Sequence, residues 1–286
     1  MINIRVIRRR IRGIRGIAKI TRAMEMVAAS KMRRAQEAGL AGRPYSEKIA
    51  QVLADLAALA EASGEAPHPL LRRRPVNRVA IVHITPDRGL CGGLVASLNR
   101  KTAGFMLEQE SPVTLVGVGL KGLDSMRRYG RDIKAEFTQL GDRPCLFDTL
   151  PISRIIIDDY THGEVDLVYL TYANFVSTMV QKPVMKQILP VEPAVIPAAQ
   201  NVDYIYEPGS AAVLGHLLPR FVEMQVYHAI LESIASEQSA RMVAMRNATD
   251  NANELIEHLT LLYNKARQES ITKELLDIIG GAAALA

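Results

Sequence analysis

Apolar positions recur at steps of three and four at both ends of this 286-residue chain, and in short unbroken runs through its middle. From Ile4 the steps pass through Ile7, Ile11, Ile14, Ala18 and Thr21, and a second row, Ile17, Ile20, Met24 and Val27, keeps the same rhythm. Such rows predict a helix whose apolar stripe faces another helix, with arginines filling the remaining faces. Gly13 and Gly16 each weaken that helix by about 1 kcal/mol relative to alanine. Their presence predicts close approach of another helix. Gly39, Gly42 and Pro44 predict a break, with a second helical stretch from Tyr45 to Ala62.

The C-terminal pattern is longer. Between His216 and Ile279 there is no glycine and one proline, Pro219. At about 1.5 Å per residue this predicts a helix of about 95 Å. Its seam runs Leu214, Leu217, Phe221, Met224, His228, Leu231, Ala235, Gln238, Met242, Met245, Thr249, Ala252, Ile256, Leu259, Tyr263 and Ala266. A period near 3.5 implies a left-handed supercoil with a partner helix. The N-terminal helix is the partner expected, and because the two bracket one domain they must run antiparallel. Ser210 is the expected N-cap and Gly280 the expected C-cap. Pro219 predicts a kink early in the helix.

Between these ends, strand-like and helix-like stretches alternate. Strands are expected at Arg78–Thr85, Val113–Gly119 and Val165–Ala173, with another around Glu136. Helices are expected at 94–108, 121–129 and 152–162. Alternation of this kind predicts a mostly parallel sheet with covering helices. Beyond Ala173 the prolines at 183, 190, 193 and 197 predict a meandering edge. The divisions expected are shaft helices at 1–62, a linker at 63–75, an α/β domain at 76–208 and a last helix at 209–286.

Charge adds a direction to this picture. The net charge is +5, and residues 1–34 hold eleven Lys or Arg against one acid, Glu25. That block predicts an acidic partner. No aromatic residue is interleaved before Tyr45, so acidic protein is favoured over nucleic acid. Cys91 and Cys145 form no disulfide framework, which fits a reducing compartment. There is no membrane-spanning run or secretory h-region, so a soluble chain that meets membranes only through partners is expected.

Three patterns resemble chemistry. GVGLKG, with Gly117, Gly119 and Gly122, matches a dinucleotide fingerprint. It follows the second strand of its domain, however, and the nearby acids Glu136 and Asp142 are badly placed to hold a ribose. The loop from Asp87 to Gly93 looks like a phosphate cradle but lacks the Lys-Ser/Thr pair. It reads as a tight strand-to-helix turn with Cys91 buried. Asp158, Asp159 and His162 have metal-like spacing, yet Gly163 follows, as at a solvated helix end. No catalytic residue, cofactor or metal is expected. A nicotinamide-dependent enzyme and a nucleic-acid-binding coiled coil are the rival readings.

The stretches ITRAMEMVAASKMRRAQ (Ile20–Gln36), DRGLCGG (Asp87–Gly93), SEQSARMVAMRNATDNA (Ser236–Ala252) and YNKARQESITKELLDI (Tyr263–Ile278) closely resemble gamma subunits of F-type ATP synthases, bacterial type. The resemblance runs the whole length. It implies an α/β protein: a long antiparallel coiled coil of the terminal helices with a Rossmann-like middle domain. It further implies a rotor shaft standing in a ring of three alpha and three beta subunits. The foot would touch the epsilon subunit and the membrane c-ring, at the cytoplasmic face of the plasma membrane. Carried over, beta-subunit contacts fall at Met24, Glu25, Lys31, Arg34, Arg267, Gln268, Thr272 and Glu274. Contacts to the c-ring and epsilon fall at Tyr204, Tyr206 and Glu207. The apolar tip from Ile278 would sit in a sleeve at the top of the ring. The small residues between Ser236 and Ala252 are expected to slide past neighbours without interlocking.

Overall fold

The computed structural model describes residues 4–63, 68–192, 206–207 and 209–283. The chain divides into two compact units, one of residues 1–28 with 242–286 and one of residues 29–241. The elements in order are α1 (Ile4–Ser63), β1 (Val79–Ile84), α2 (Leu94–Glu108), β2 (Val113–Val118), α3 (Leu120–Arg128), β3 (Ile133–Phe137), α4 (Leu146–His162), β4 (Leu167–Phe175), β5 (Gln181–Leu189) and α5 (Ser210–Ala283). Both terminal helices cross from one unit into the other.

The first unit pairs the start of α1 with the second half of α5. Ile7, Ile11, Thr21 and Ala28 are buried on α1, and Met245, Thr249, Ala252 and Leu259 on α5. All but Ala28 are seam positions read from the sequence. Thr21 and Thr249 hydroxyls meet at 2.6 Å. Glu25 and Arg246 pair at 3.5 Å, and Arg8 donates to the Tyr263 hydroxyl at 3.0 Å. The two numbers of each pair add to 270 or 271, the constant sum that an antiparallel pair requires. The second row behaves differently: Ile17, Ile20 and Val27 stay more than half exposed. Among the described residues nothing lies within 4 Å of a Cβ placed on Gly13 or Gly16, so the close approach of another helix that the sequence led us to expect is not seen there.

The second unit is a five-stranded sheet of order β3-β2-β1-β4-β5. β1, β2, β3 and β4 are parallel, and β5 runs antiparallel along β4. On one face Ala80, Val82 and Ile84 of β1 pack with Ile152 and Ile156 of α4, Val222, Val226 and Ile230 of α5, and Ile49, Leu53 and Leu56 of α1. On the other, Val79 and Ile81 meet Met106 of α2 and Met126 of α3. β1 is buried along its whole length, which explains its unbroken apolar run. The polar exception, His83, is satisfied as a neutral ring. Its Nε2–H donates to Asn99 Oδ1 and its Nδ1 accepts from the Thr102 hydroxyl, both at 2.9 Å. Burial lowers its pKa to about 4.

Four local expectations are corrected. α1 runs unbroken through Pro44. The carbonyl that Pro44 leaves without a donor belongs to Leu40, which is exposed to water. Burial of Ile49, Leu53 and Leu56 beyond it, about 1.5–3 kcal/mol each, outweighs the roughly 3 kcal/mol cost of an interior proline. The Val213 N–H donates to the Gly209 carbonyl at 3.1 Å, so Ser210 lies inside α5 rather than capping it. At the other end α5 passes through Gly280 to Ala283, because one glycine costs only about 1 kcal/mol and alanine follows. Beyond Ala173 the chain makes a regular hairpin, with Pro183 opposite Ala173 on the edge strand, where a missing N–H breaks no ladder bond. Pro193 and Pro197 lie outside the described residues.

Candidate interaction surfaces

In a sheet of this order, ligands sit beyond the C-terminal ends of the strands where the order reverses, here between β1 and β4. At the fingerprint, the N–H groups that would receive a phosphate are already used. At the start of α3, the Leu120 N–H donates to Asp87 Oδ1 at 3.0 Å and the Lys121 N–H to the Pro86 carbonyl at 3.1 Å. The Gly122 N–H donates to Thr85 Oγ1 at 2.9 Å. A helix N-terminus attracts anions through such free N–H groups, and here the Asp87 carboxylate is the anion. The fingerprint glycines serve packing. A Cβ on Gly119, whose φ is +92°, would lie 1.8 Å from the Thr85 carbonyl oxygen, and one on Gly122 would lie 2.5 Å from Thr85 Oγ1.

The other side of the crevice is filled by α5. Ser236 Oγ donates to the Ala173 carbonyl at the end of β4, and Ser239 Oγ to the Thr178 carbonyl in the following turn, both at 2.8 Å. Ala240 packs with Cys91, Leu94, Leu98 and Ala173. Arg241 donates to the carbonyls of Gly89 (3.1 Å) and Arg88 (3.4 Å) and pairs with Glu237 at 2.7 Å. Residues 236–241 therefore interlock with the sheet domain, and the expectation that this part of the motif slides past its neighbours is corrected. Small side chains let α5 come close, and their hydroxyls then bond to strand-end carbonyls. Burial pushes the Glu237 carboxyl up, with Arg241 opposing and Asp142 and Asp87 adding to the rise.

The residues expected to meet partners are placed as follows. Met24 and Glu25 are half-buried, and Glu25 faces Arg246. Lys31 Nζ holds Asp142 at 2.5 Å, and Arg34 folds back on Ser30. Arg267, Gln268, Thr272 and Glu274 are exposed on α5. Tyr206 packs against the main core and Glu207 is exposed. Tyr204 lies outside the described residues. At the end of α4, Asp159 accepts from Lys134 at 2.7 Å and His162 donates to the Asp158 carbonyl at 2.8 Å. Gly163 closes that helix in the left-handed conformation, so these residues form a helix end rather than a metal set. Asp142 and the Glu237–Arg241 pair were not singled out as contacts from sequence. A Glu and an Arg four apart in an otherwise small-residue stretch is the signal that was there to read.

Comparison with known proteins decides the family. The family model described as ATP synthase matches residues 3–285. The ATP synthase gamma chain of Dehalococcoides mccartyi (strain ATCC BAA-2266 / KCTC 15142 / 195) is 70% identical over 286 residues, covering 100% of both chains. The chain belongs to the ATP synthase gamma-chain family. The gamma chain of Roseiflexus sp. (strain RS-1) is 52% identical over 99% of this chain and 98% of its own. Among solved structures, the Tetrahymena thermophila mitochondrial ATP synthase central stalk/c-ring matches with TM-score 0.63 and 26% identity, covering 80% of this chain and 99% of that one. A chain of the Euglena gracilis mitochondrial ATP synthase has the same fold, with TM-score 0.66 at 20% identity over 99% of this chain and 94% of its own. As a gamma chain this protein is a non-catalytic subunit, the rotor shaft of its complex. A crevice closed by its own side chains accords with that role.

Proposed function

We propose that the chain carries torque between a membrane c-ring and an alpha/beta hexamer through three sets of residues. Met24, Glu25 and Arg34 on α1, with Arg267, Gln268, Thr272 and Glu274 on α5, meet the beta subunits. Lys31 joins them only by sharing its charge with Asp142. Tyr204, Tyr206 and Glu207 meet the c-ring and epsilon, and the membrane is reached through these partners at its cytoplasmic face. Among the described residues no helix is long and apolar enough to cross a membrane.

Unpartnered apolar surface on the paired-helix unit is the observation that carries this reading. Ile17, Ile20, Val27, Leu275, Leu276, Ile278 and Ile279 are 54–68% exposed. Large apolar side chains left open in rows along a helix mark a protein interface. A rotating shaft biases each catalytic site through the contacts it makes in each orientation. Replacing Arg267 and Gln268 together with alanine is expected to lower ATP synthesis by the assembled complex at least several-fold, while the melting of the purified chain is unchanged. Unchanged synthesis would remove these two residues from the contact set.

A further inference from the structure

The second unit ends at Arg241, and the next residue of α5, Met242, belongs to the paired helices. Any torque passing along α5 between the two units is carried by this turn of helix. Within the second unit, the turn is held by a dense set of polar contacts. Ser236 and Ser239, both fully buried, bond strand-end and turn carbonyls. Gln181 Nε2 donates to Ser239 Oγ at 3.2 Å.

Arg241 adds a connection of a different kind. Its Nη2 reaches at once the Glu237 carboxylate on its own helix and two carbonyls, of Arg88 and Gly89, on the loop after β1. The residue before them, Asp87, is tied in turn to the Leu120 N–H of α3 and the Gln139 N–H after β3, each at 3.0 Å. The segment Asp87–Gly89 thus stands as a strut between α5 and the far half of the sheet. On α1, Lys31 holds Asp142 just inside the same unit.

We propose that Arg241, held by Glu237, is the positioning residue that clamps α5 to the Asp87–Gly89 strut, so that rotation of the sheet domain is delivered to the shaft without slack. This rests on the rotor-shaft function and adds to it a specific load path. Ordinary packing by the same ion pair would affect stability alone, whereas a clamp affects how much rotation is converted.

The test uses whole ATP synthase in sealed membrane vesicles. Arg241→Lys keeps the charge beside Glu237 but, being shorter, withdraws the donor from the Arg88 and Gly89 carbonyls, and Glu237→Gln with Arg241→Gln removes the pair without stranding a buried charge. Asp87→Asn weakens the strut and leaves the ion pair intact. Subunit content is measured first, then ATP hydrolysis, then ATP synthesis driven by an imposed ion gradient. Fully assembled variants should hydrolyse ATP within about twofold of the parent while synthesis per unit of hydrolysis falls about fivefold or more (about 1 kcal/mol of coupling by the tenfold-per-1.4 relation). Asp87→Asn should show the same split, and it decides the matter if the Arg241 variants fail to assemble. An unchanged ratio in assembled complexes, or equal loss of both activities, overturns the clamp. Absence of the parent chain from the purified complex would instead overturn the shaft function itself.

Discussion

The two units use the same helices under opposite rules. In the paired-helix unit α1 buries one narrow row, Ile7, Ile11, Thr21 and Ala28, and leaves Ile17, Ile20 and Val27 open. In the sheet unit α5 is enclosed on most sides from Leu218 to Arg241, and even its serines are fully buried. One region leaves an apolar row open, and the other encloses its own. A helix that must meet changing neighbours keeps apolar side chains exposed. A helix that must be held fast spends its polar groups on fixed partners.

The contrast is broken most sharply at the glycines. Gly119→Ala forces a Cβ against the Thr85 carbonyl at a positive φ, so the sheet unit should lose about 3–5 kcal/mol, read as a fall in the denaturant midpoint. Acid should separate the units next. His83 takes a proton only near pH 4, below its ordinary value of 6.5, while the unfolded chain protonates it near 6.5. Its contribution is therefore fully present above pH 6.5 and is lost as pH falls toward 4. The loss is about 3 kcal/mol at about 1.4 kcal/mol per pH unit. His83→Gln should flatten this pH dependence, and a variant as acid-sensitive as the parent would remove His83 as its source.

A smaller effect probes the seam. Thr21→Val removes the buried Thr249 hydroxyl's cross-helix partner, leaving it the Met245 carbonyl alone, and should cost about 1 kcal/mol, most of it recovered by adding Thr249→Val. Failure of the double variant to recover would mean that the bonds each hydroxyl makes to its own helix, to the Ala18 and Met245 carbonyls, outweigh the one between them. Smallest of all, Gly13→Ala and Gly16→Ala have open space around them and should each stabilise the purified chain by about 1 kcal/mol. Destabilisation would reveal a close approach that the paired helices do not show.

Periodicity carried most of the architecture. The seam from Ile4 to Thr21 and from Met242 to Ala266 is visible because burial there follows a single stripe. The parallel strands are visible because β1, β2 and β4 are covered on both faces or nearly so. Local breaker rules failed where tertiary burial outweighed them: at Pro44, which Ile49 and Leu56 carry past, and at Gly280, where alanines continue the helix. Small residues were read as slippery at Ser236, Ser239 and Ala240, when their size is what admits α5 to the strand ends. No pattern within α5 alone could place Arg241 on the Arg88 and Gly89 carbonyls, because those acceptors lie about 150 residues away in the chain and backbone carbonyls leave no trace in a sequence.

A nucleotide-type sheet whose crevice is closed by its own helix is the feature on which the rest depends. Titrating the purified, full-length chain with ATP and, separately, with NAD in a calorimeter addresses it directly. With Asp87 capping α3 and residues 236–241 filling the strand ends, neither ligand should give saturable heat at concentrations up to about 1 mM. A one-to-one isotherm with micromolar affinity for either would contradict the closed crevice and return this sheet to the nucleotide-binding proteins whose strand order it shares.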